Sequence, residues 1–137
     1  MILEINDAKS VFELQDQFST HYPFLKIDFY APASLSKKLL PSAEKMSPHQ
    51  LIKCARNIHN SGRLEVMSWF TVSRLEKEFI NKFGLEIKVS KRENGRWVLS
   101  PTSCFCSLKE QNDRAFIAAS SALPVKKRMR IKEYDCL

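Results

Sequence analysis

The side chains with the richest chemistry in this chain are four cysteines and three histidines, and their spacing decides what they could do. Cys104-x-Cys106 sets two thiols on one side of an extended segment, with His49, Cys54 and His59 upstream. Structural zinc takes two tight pairs, spaced C-x₂₋₄-C or H-x₃₋₅-H. Only one close pair is present, and the His–Cys–His spacing does not share a helix face. Cys104 and Cys106 are therefore weak metal candidates. Small buried apolar roles for Cys54 and one of the loop cysteines compete with that reading. As a redox pair, Cys104 and Cys106 lack the C-x-x-C form and its helix N-terminus.

Nucleophilic catalysis needs a base beside the nucleophile and a third group to orient it. His21 falls at a helix end, His49 in a first turn and His59 in a turn, and none belongs to a nucleophile motif. Glu76 and Glu78 are two apart on a helix, so they diverge rather than pair. Phosphate cradles need glycine-rich turns. Gly62, Gly84 and Gly95 each read as a turn or a helix stop, which excludes P-loop and Rossmann sites. No catalytic residue is assigned, and no cofactor or small-molecule substrate is called for.

The net charge is +7 at pH 7. Lys126, Lys127, Arg128, Arg130 and Lys132 stand together with no acid among them, so a block of five positive charges belongs to a tail. These five are the nucleic-acid-binding candidates, gripping phosphates through charge alone. A solubilising terminus is the competing role. A sheet face can also bind RNA, by stacking bases on aromatic side chains. The expected outward positions are Glu4, Lys26, Asp28, Tyr30, Glu65, Glu86, Lys88 and Arg96. Tyr30 is the one aromatic among them and half are acidic, which argues against that route.

The elements that must position these groups are clearly written. Val72, Leu75, Phe79 and Phe83 recur at helical spacing, and Gly84 stops the helix. Leu85, Ile87 and Val89 then alternate with polar residues as a strand. Asn94-Gly95 is a two-residue hairpin turn leading to a strand over 96–100. Earlier, Ile2, Leu3 and Ile5 begin a strand. Ser10 and Glu13 form a capping box for a helix with Val11, Leu14, Phe18 and Tyr22 on its stripe. Leu25, Ile27 and Phe29 follow as a strand. Ser47-Pro48-His49-Gln50 is expected to start a helix, with Leu51, Ile52 and Ala55 buried. A strand over 63–67 and a final helix opened by Ser107 and Glu110 complete the pattern.

The two strand–helix–strand stretches match at offsets of 61 and then 60, so 2–30 and 63–90 read as an internal repeat. Two such units in tandem predict a ferredoxin-like α+β sandwich. Its sheet is expected to be mixed or antiparallel, with helices on one face. The additions are an inserted helix, an extra hairpin strand and a C-terminal helix. A β-grasp-like sheet is the alternative. One domain is expected over 1–123, with a basic, flexible tail over 124–137. No apolar run approaches the ~20 residues that span a bilayer, and the N-terminus is unlike a secretion signal. A cytoplasmic protein with reduced thiols is the expectation.

Asn60-Ser61-Gly62, Thr71-Val-Ser-Arg-Leu-Glu76 with Phe79, Phe83-Gly-Leu85, Trp97 and Ser107-Leu-Lys-Glu-Gln-Asn112 resemble a pattern shared by small uncharacterised bacterial proteins. That resemblance covers the second half of the chain and implies a bacterial, cytoplasmic protein. It brings no activity and no catalytic residue. Cys104-Phe105-Cys106 stands where those proteins carry acidic residues and tryptophan.

A well-specified core without a catalytic constellation leads to a noncatalytic binding or interaction domain, self-associating or holding a protein partner. Tyr30, Trp69 and Phe70 are the candidate contact residues. A nucleic-acid accessory protein using the tail is the alternative, and a small enzyme of unrecognised class is the third reading.

Overall fold

The computed structural model describes residues 1–31, 44–56, 58–101 and 105–121. The chain runs β1 (Ile2–Ile5), α1 (Val11–His21), β2 (Leu25–Ala31), β3 (Glu44–Lys45), a 3₁₀ turn (Ile52–Ala55), β4 (Gly62–Glu65), α2 (Val72–Phe83), β5 (Glu86–Glu93), β6 (Arg96–Leu99) and α3 (Leu108–Ser121). This is an α+β, ferredoxin-like arrangement of two strand–helix–strand units. The strands form two antiparallel ladders: β1 with β4, and a four-stranded sheet in the order β3-β2-β5-β6. Both ladders direct their apolar faces into one core. Leu3, Ile5 and Leu64 enter it from the first ladder, and Leu25, Ile27, Phe29, Ile87 and Val89 from the second. Val11, Leu14 and Phe18 of α1 and Val72, Leu75, Phe79 and Phe83 of α2 fill the space between. The spacing that marked these positions as helical stripes is also what lets one face bury them.

The helix ends form as their residues dictate. Ser10 Oγ accepts from Glu13 N at 3.1 Å, and the Glu13 carboxylate accepts from Ser10 N at 3.4 Å, closing the capping box. Thr71 Oγ1 accepts from Arg74 N at 3.2 Å at the start of α2. Gly84 ends α2 at φ 64°, and Leu85 N donates back to Phe79 O. A side chain there would be strained, and its Cβ would lie 3.4 Å from Ile58 Cβ.

One expected element is corrected. The helix anticipated from Ser47 is a turn followed by a single turn of 3₁₀ helix. Ser47 N donates to the Gln50 side chain at 2.7 Å, and Gln50 N donates to Ser47 O at 3.1 Å. The serine and glutamine thus close a turn on each other instead of capping a helix. The 3₁₀ turn begins after Leu51, which makes no side-chain cap. Its backbone is drawn into other bonds: Val11 N donates to Gln50 O, and Ile52 N to Lys9 O, both at 2.9 Å. Of the connection between β2 and β3, the turn expected near Leu35–Leu40 lies outside the described residues, as do Cys104 and the tail.

The same bonds recur in both halves of the chain. Met46 N donates to Phe29 O at 2.7 Å, and Ser100 N donates to Val89 O at 2.8 Å. Ser10 bridges Leu51 as Thr71 bridges Ser107. Ile52 N donates to Lys9 O as Leu108 N donates to Phe70 O. The correspondence therefore continues through β3 and the 3₁₀ turn in the first half, and through β6 and α3 in the second. Leu3 pairs with its own counterpart Leu64, and Asp28 with its counterpart Lys88. A pseudo-two-fold axis through both pairs relates the halves. Strands that face each other across such an axis must run antiparallel, which accounts for the direction of both ladders.

The halves differ at one buried flank. In the first, Gln15 Nε2 donates to Ile27 O at 2.8 Å and to Asp28 Oδ1 at 3.1 Å, while Ser19 Oγ donates to Leu25 O at 3.2 Å. These side chains cover β2 where β3 does not reach. Glu76 holds the equivalent place on α2, beside Glu86, Ile87 and Lys88. Burial pushes its carboxyl up; Lys88 opposes this and Glu86 adds to it, leaving the pKa above the ordinary value. A raised acid pKa stabilises the fold at low pH, and that contribution is lost as pH rises through the folded value. Glu76→Gln is therefore expected to stabilise the protein at pH 7 by roughly 0.5–1.5 kcal/mol, one net hydrogen bond. It should also flatten the stability profile on the alkaline side of pH 4.5. Urea midpoints at pH 4, 5.5 and 7 would check this; a destabilised variant at pH 7 would refute it.

Candidate interaction surface

Among the described residues, β6 ends the four-stranded sheet. The Asn94-Gly95 turn that presents it has positive φ at both residues, 51° and 75°, as a two-residue hairpin requires. All four residues of β6 are exposed, and three are apolar: Trp97, Val98 and Leu99 at 37%, 40% and 57%. In antiparallel ladders bonded and non-bonded pairs alternate. Ser100 N donates to Val89 O, Val98 is opposite Lys91 and Arg96 is opposite Glu93. These are the bonded pairs, so the N–H and C=O groups of Trp97 and Leu99 point away from β5. The edge thus carries polar backbone groups and apolar side chains together, a template for another strand.

Trp97 is also where the face assignment from sequence is corrected. Trp97 is opposite Arg92, while Arg96 is opposite Glu93. Alternation along β5 puts Arg92 on the side of Lys88, and Lys88 is opposite Asp28. Trp97 therefore joins Tyr30 as an aromatic of the outward face, and Arg96 belongs to the other face. The two-residue turn sets this register; alternation within β6 alone does not. Lys26 Nζ lies 5.4 Å and the Arg92 guanidinium 5.3 Å from the Trp97 ring, within cation–π range. Asp28, expected to be solvated, is 6% exposed. Lys45 and Lys26 approach its carboxylate at 3.6 and 3.8 Å, and Gln15 reaches it from α1.

The other contact candidates separate. Trp69 is 58% exposed, whereas Phe70 is 4% exposed and belongs to the core. Their rings meet edge to face at 4.9 Å, and the Arg74 guanidinium stands over both. Tyr30 is half-buried in β2, opposite Glu86 and Lys45.

The remaining titratable residues form structural sets. Arg56, whose side chain is wholly buried, donates from Nε and Nη2 to Asp7 Oδ1 at 3.1 and 2.9 Å. Its Nη1 donates to Asn60 O at 2.6 Å and to Phe83 O at 3.0 Å. His59 Nδ1 lies 2.8 Å from Asp7 Oδ2. Asp7 and Arg56 did not stand out in the sequence; the usable signal was an arginine closing the apolar run from Leu51. Cys106 is half-buried, with Arg114 Nη1 3.0 Å from its sulfur, and Gln111 Nε2 donates to its carbonyl. Cys54 is exposed. Among the described residues no cluster of histidine, cysteine or carboxylate side chains could hold a metal, and no helix is long and apolar enough to cross a membrane. Cys104 and the tail candidates Lys126, Lys127, Arg128, Arg130 and Lys132 lie outside the described residues.

No family model matches the chain, and no curated protein and no solved structure matches it.

Proposed function

We propose that this chain is a cytoplasmic, noncatalytic interaction domain that receives an extended protein strand along β6. One observation carries the reading: the outward backbone groups of Trp97 and Leu99, on an edge whose apolar side chains are exposed. Strand addition uses both, with main-chain bonds supplying affinity and alternate side chains supplying selectivity. Among the described residues, the opposite end of the sheet does not offer this. β3 is two residues long, Lys45 is exposed on it, and the flank of β2 beside it is covered by Gln15 and Ser19.

The test is fluorescence polarisation with a panel of labelled eight-residue peptides rich in valine, isoleucine and threonine. Some are expected to bind at micromolar concentrations. Leu99→Pro removes an outward N–H that β5 does not use, and it should abolish that binding while the far-UV spectrum stays unchanged. Peptides that bind the proline variant equally well, or a whole panel that fails to bind, would sink the reading.

A further inference from the structure

We infer that the strand received by β6 is β6 of a second copy of this chain, paired antiparallel about a two-fold axis at Val98. This rests on the edge-pairing reading above and names its partner.

The argument is one of register. An added antiparallel strand must match outward backbone groups with outward backbone groups. On β6 these belong to Trp97 and Leu99, with Pro101 next in the same alternation. A two-fold pairing can centre on 97, 98 or 99. Centred on 97, only the Trp97 pair forms inside the strand, and Leu99 faces Gly95 of the other turn. Centred on 99, Trp97 faces Pro101, which has no N–H to give. Centred on 98, Trp97 faces Leu99 of the other copy at both ends, and all four outward residues are bonded.

Side chains agree with that register. Residues opposite each other share a face, so Trp97 meets Leu99 of the second copy on one face and Val98 meets Val98 on the other. The exposed apolar positions of the strand are covered by one another. Arg96 falls opposite Ser100, so the two Arg96 cations are kept apart across the axis. A central pair that is not hydrogen-bonded brings its Cα atoms to about 4.5 Å. The product is a continuous sheet of eight strands, ordered β3-β2-β5-β6-β6-β5-β2-β3. Four-residue strands bury a small area, so a weak dimer is expected, with a Kd on the order of 10–100 μM.

Two measurements on the full chain test this. Sedimentation velocity from about 5 μM to 1 mM should show reversible dimer formation, and Leu99→Pro should remain monomeric across that range. For register, Val98→Cys is made with Cys54, Cys104, Cys106 and Cys136 changed to serine, and oxidised glutathione serves as the oxidant. Cross-linking should be roughly tenfold faster for Val98→Cys than for Arg96→Cys in the same background. A wild-type chain that stays monomeric at 1 mM overturns the proposal. So does a dimer in which Arg96→Cys cross-links as fast as Val98→Cys, since the register or the surface is then different. Peptides that bind the edge of a strictly monomeric chain would leave the edge-pairing function standing and remove the second copy as its partner.

Discussion

Arg56→Ala is expected to destabilise the protein by about 3–5 kcal/mol, the range for removing one partner of a buried ion pair. The Asp7 side chain is about one-third exposed, so water can take over part of its charge. Most of the loss falls elsewhere. Arg56 Nη1 satisfies Phe83 O, one of the last carbonyls of α2, and Asn60 O in the turn before β4. Helix-end carbonyls have no partner within the helix, and a buried one left unpaired costs roughly 1–3 kcal/mol. Alanine also leaves a cavity where a wholly buried side chain stood. Arg56→Lys should fall between, because one ammonium cannot reach both the carboxylate and the two carbonyls. Burial alone would raise the Asp7 pKa, but hydrogen bonds and charges from Arg56 and His59 outweigh it and hold the carboxyl below its ordinary value. A lowered acid pKa gives stability that is present above the ordinary value of 3.8 and is lost as pH falls below it, through the folded value. The wild type should therefore lose stability below pH 3.8 more steeply than Arg56→Ala. Urea unfolding at pH 7 and at a pH of about 2.5 measures both; a loss under about 1 kcal/mol at pH 7 would show that the clamp is unimportant.

Phe79→Ala is expected to cost about 3–5 kcal/mol as well, by a different route. Phe79 is fully buried, and its ring meets Phe29 edge to face at 5.8 Å. Phe79 belongs to α2 in the second half and Phe29 to β2 in the first, so this pair joins the two halves of the pseudo-symmetric core. A double-mutant cycle with Phe29→Leu should show coupling of about 0.5–1.5 kcal/mol beyond area burial. Unfolding should remain a single transition, because neither half has a core of its own once β2–β5 pairing is lost. A biphasic transition in Phe79→Ala would show that the halves fold separately.

Signals that act over a few residues were readable directly. Ser10 and Glu13, Gly84 and Asn94-Gly95 each form the cap, stop or turn that their chemistry requires, because the bonds involved join neighbours in sequence. The same reasoning failed at Ser47. Its serine and glutamine satisfy each other in a turn, while Val11 N and Ile52 N tie that segment to α1 and its approach. Partners about forty residues away took the backbone groups that a helix would have used.

By itself, the sequence determined the α+β class, the strand and helix periodicities and the internal correspondence between halves, since hydrophobic spacing and turn chemistry are local properties. Tertiary structure decided which side chains meet. Asp7 and Arg56 are separated by forty-nine positions, and no spacing rule joins them. Phe70 turns inward while Trp69 stays out. Trp97, rather than Arg96, shares a face with Lys26 because pairing across the hairpin sets the register there. The open edge of β6 is likewise a product of sheet order. Strand order is settled by long-range hydrogen bonding and shared burial, and neither is written in any single stretch of chain.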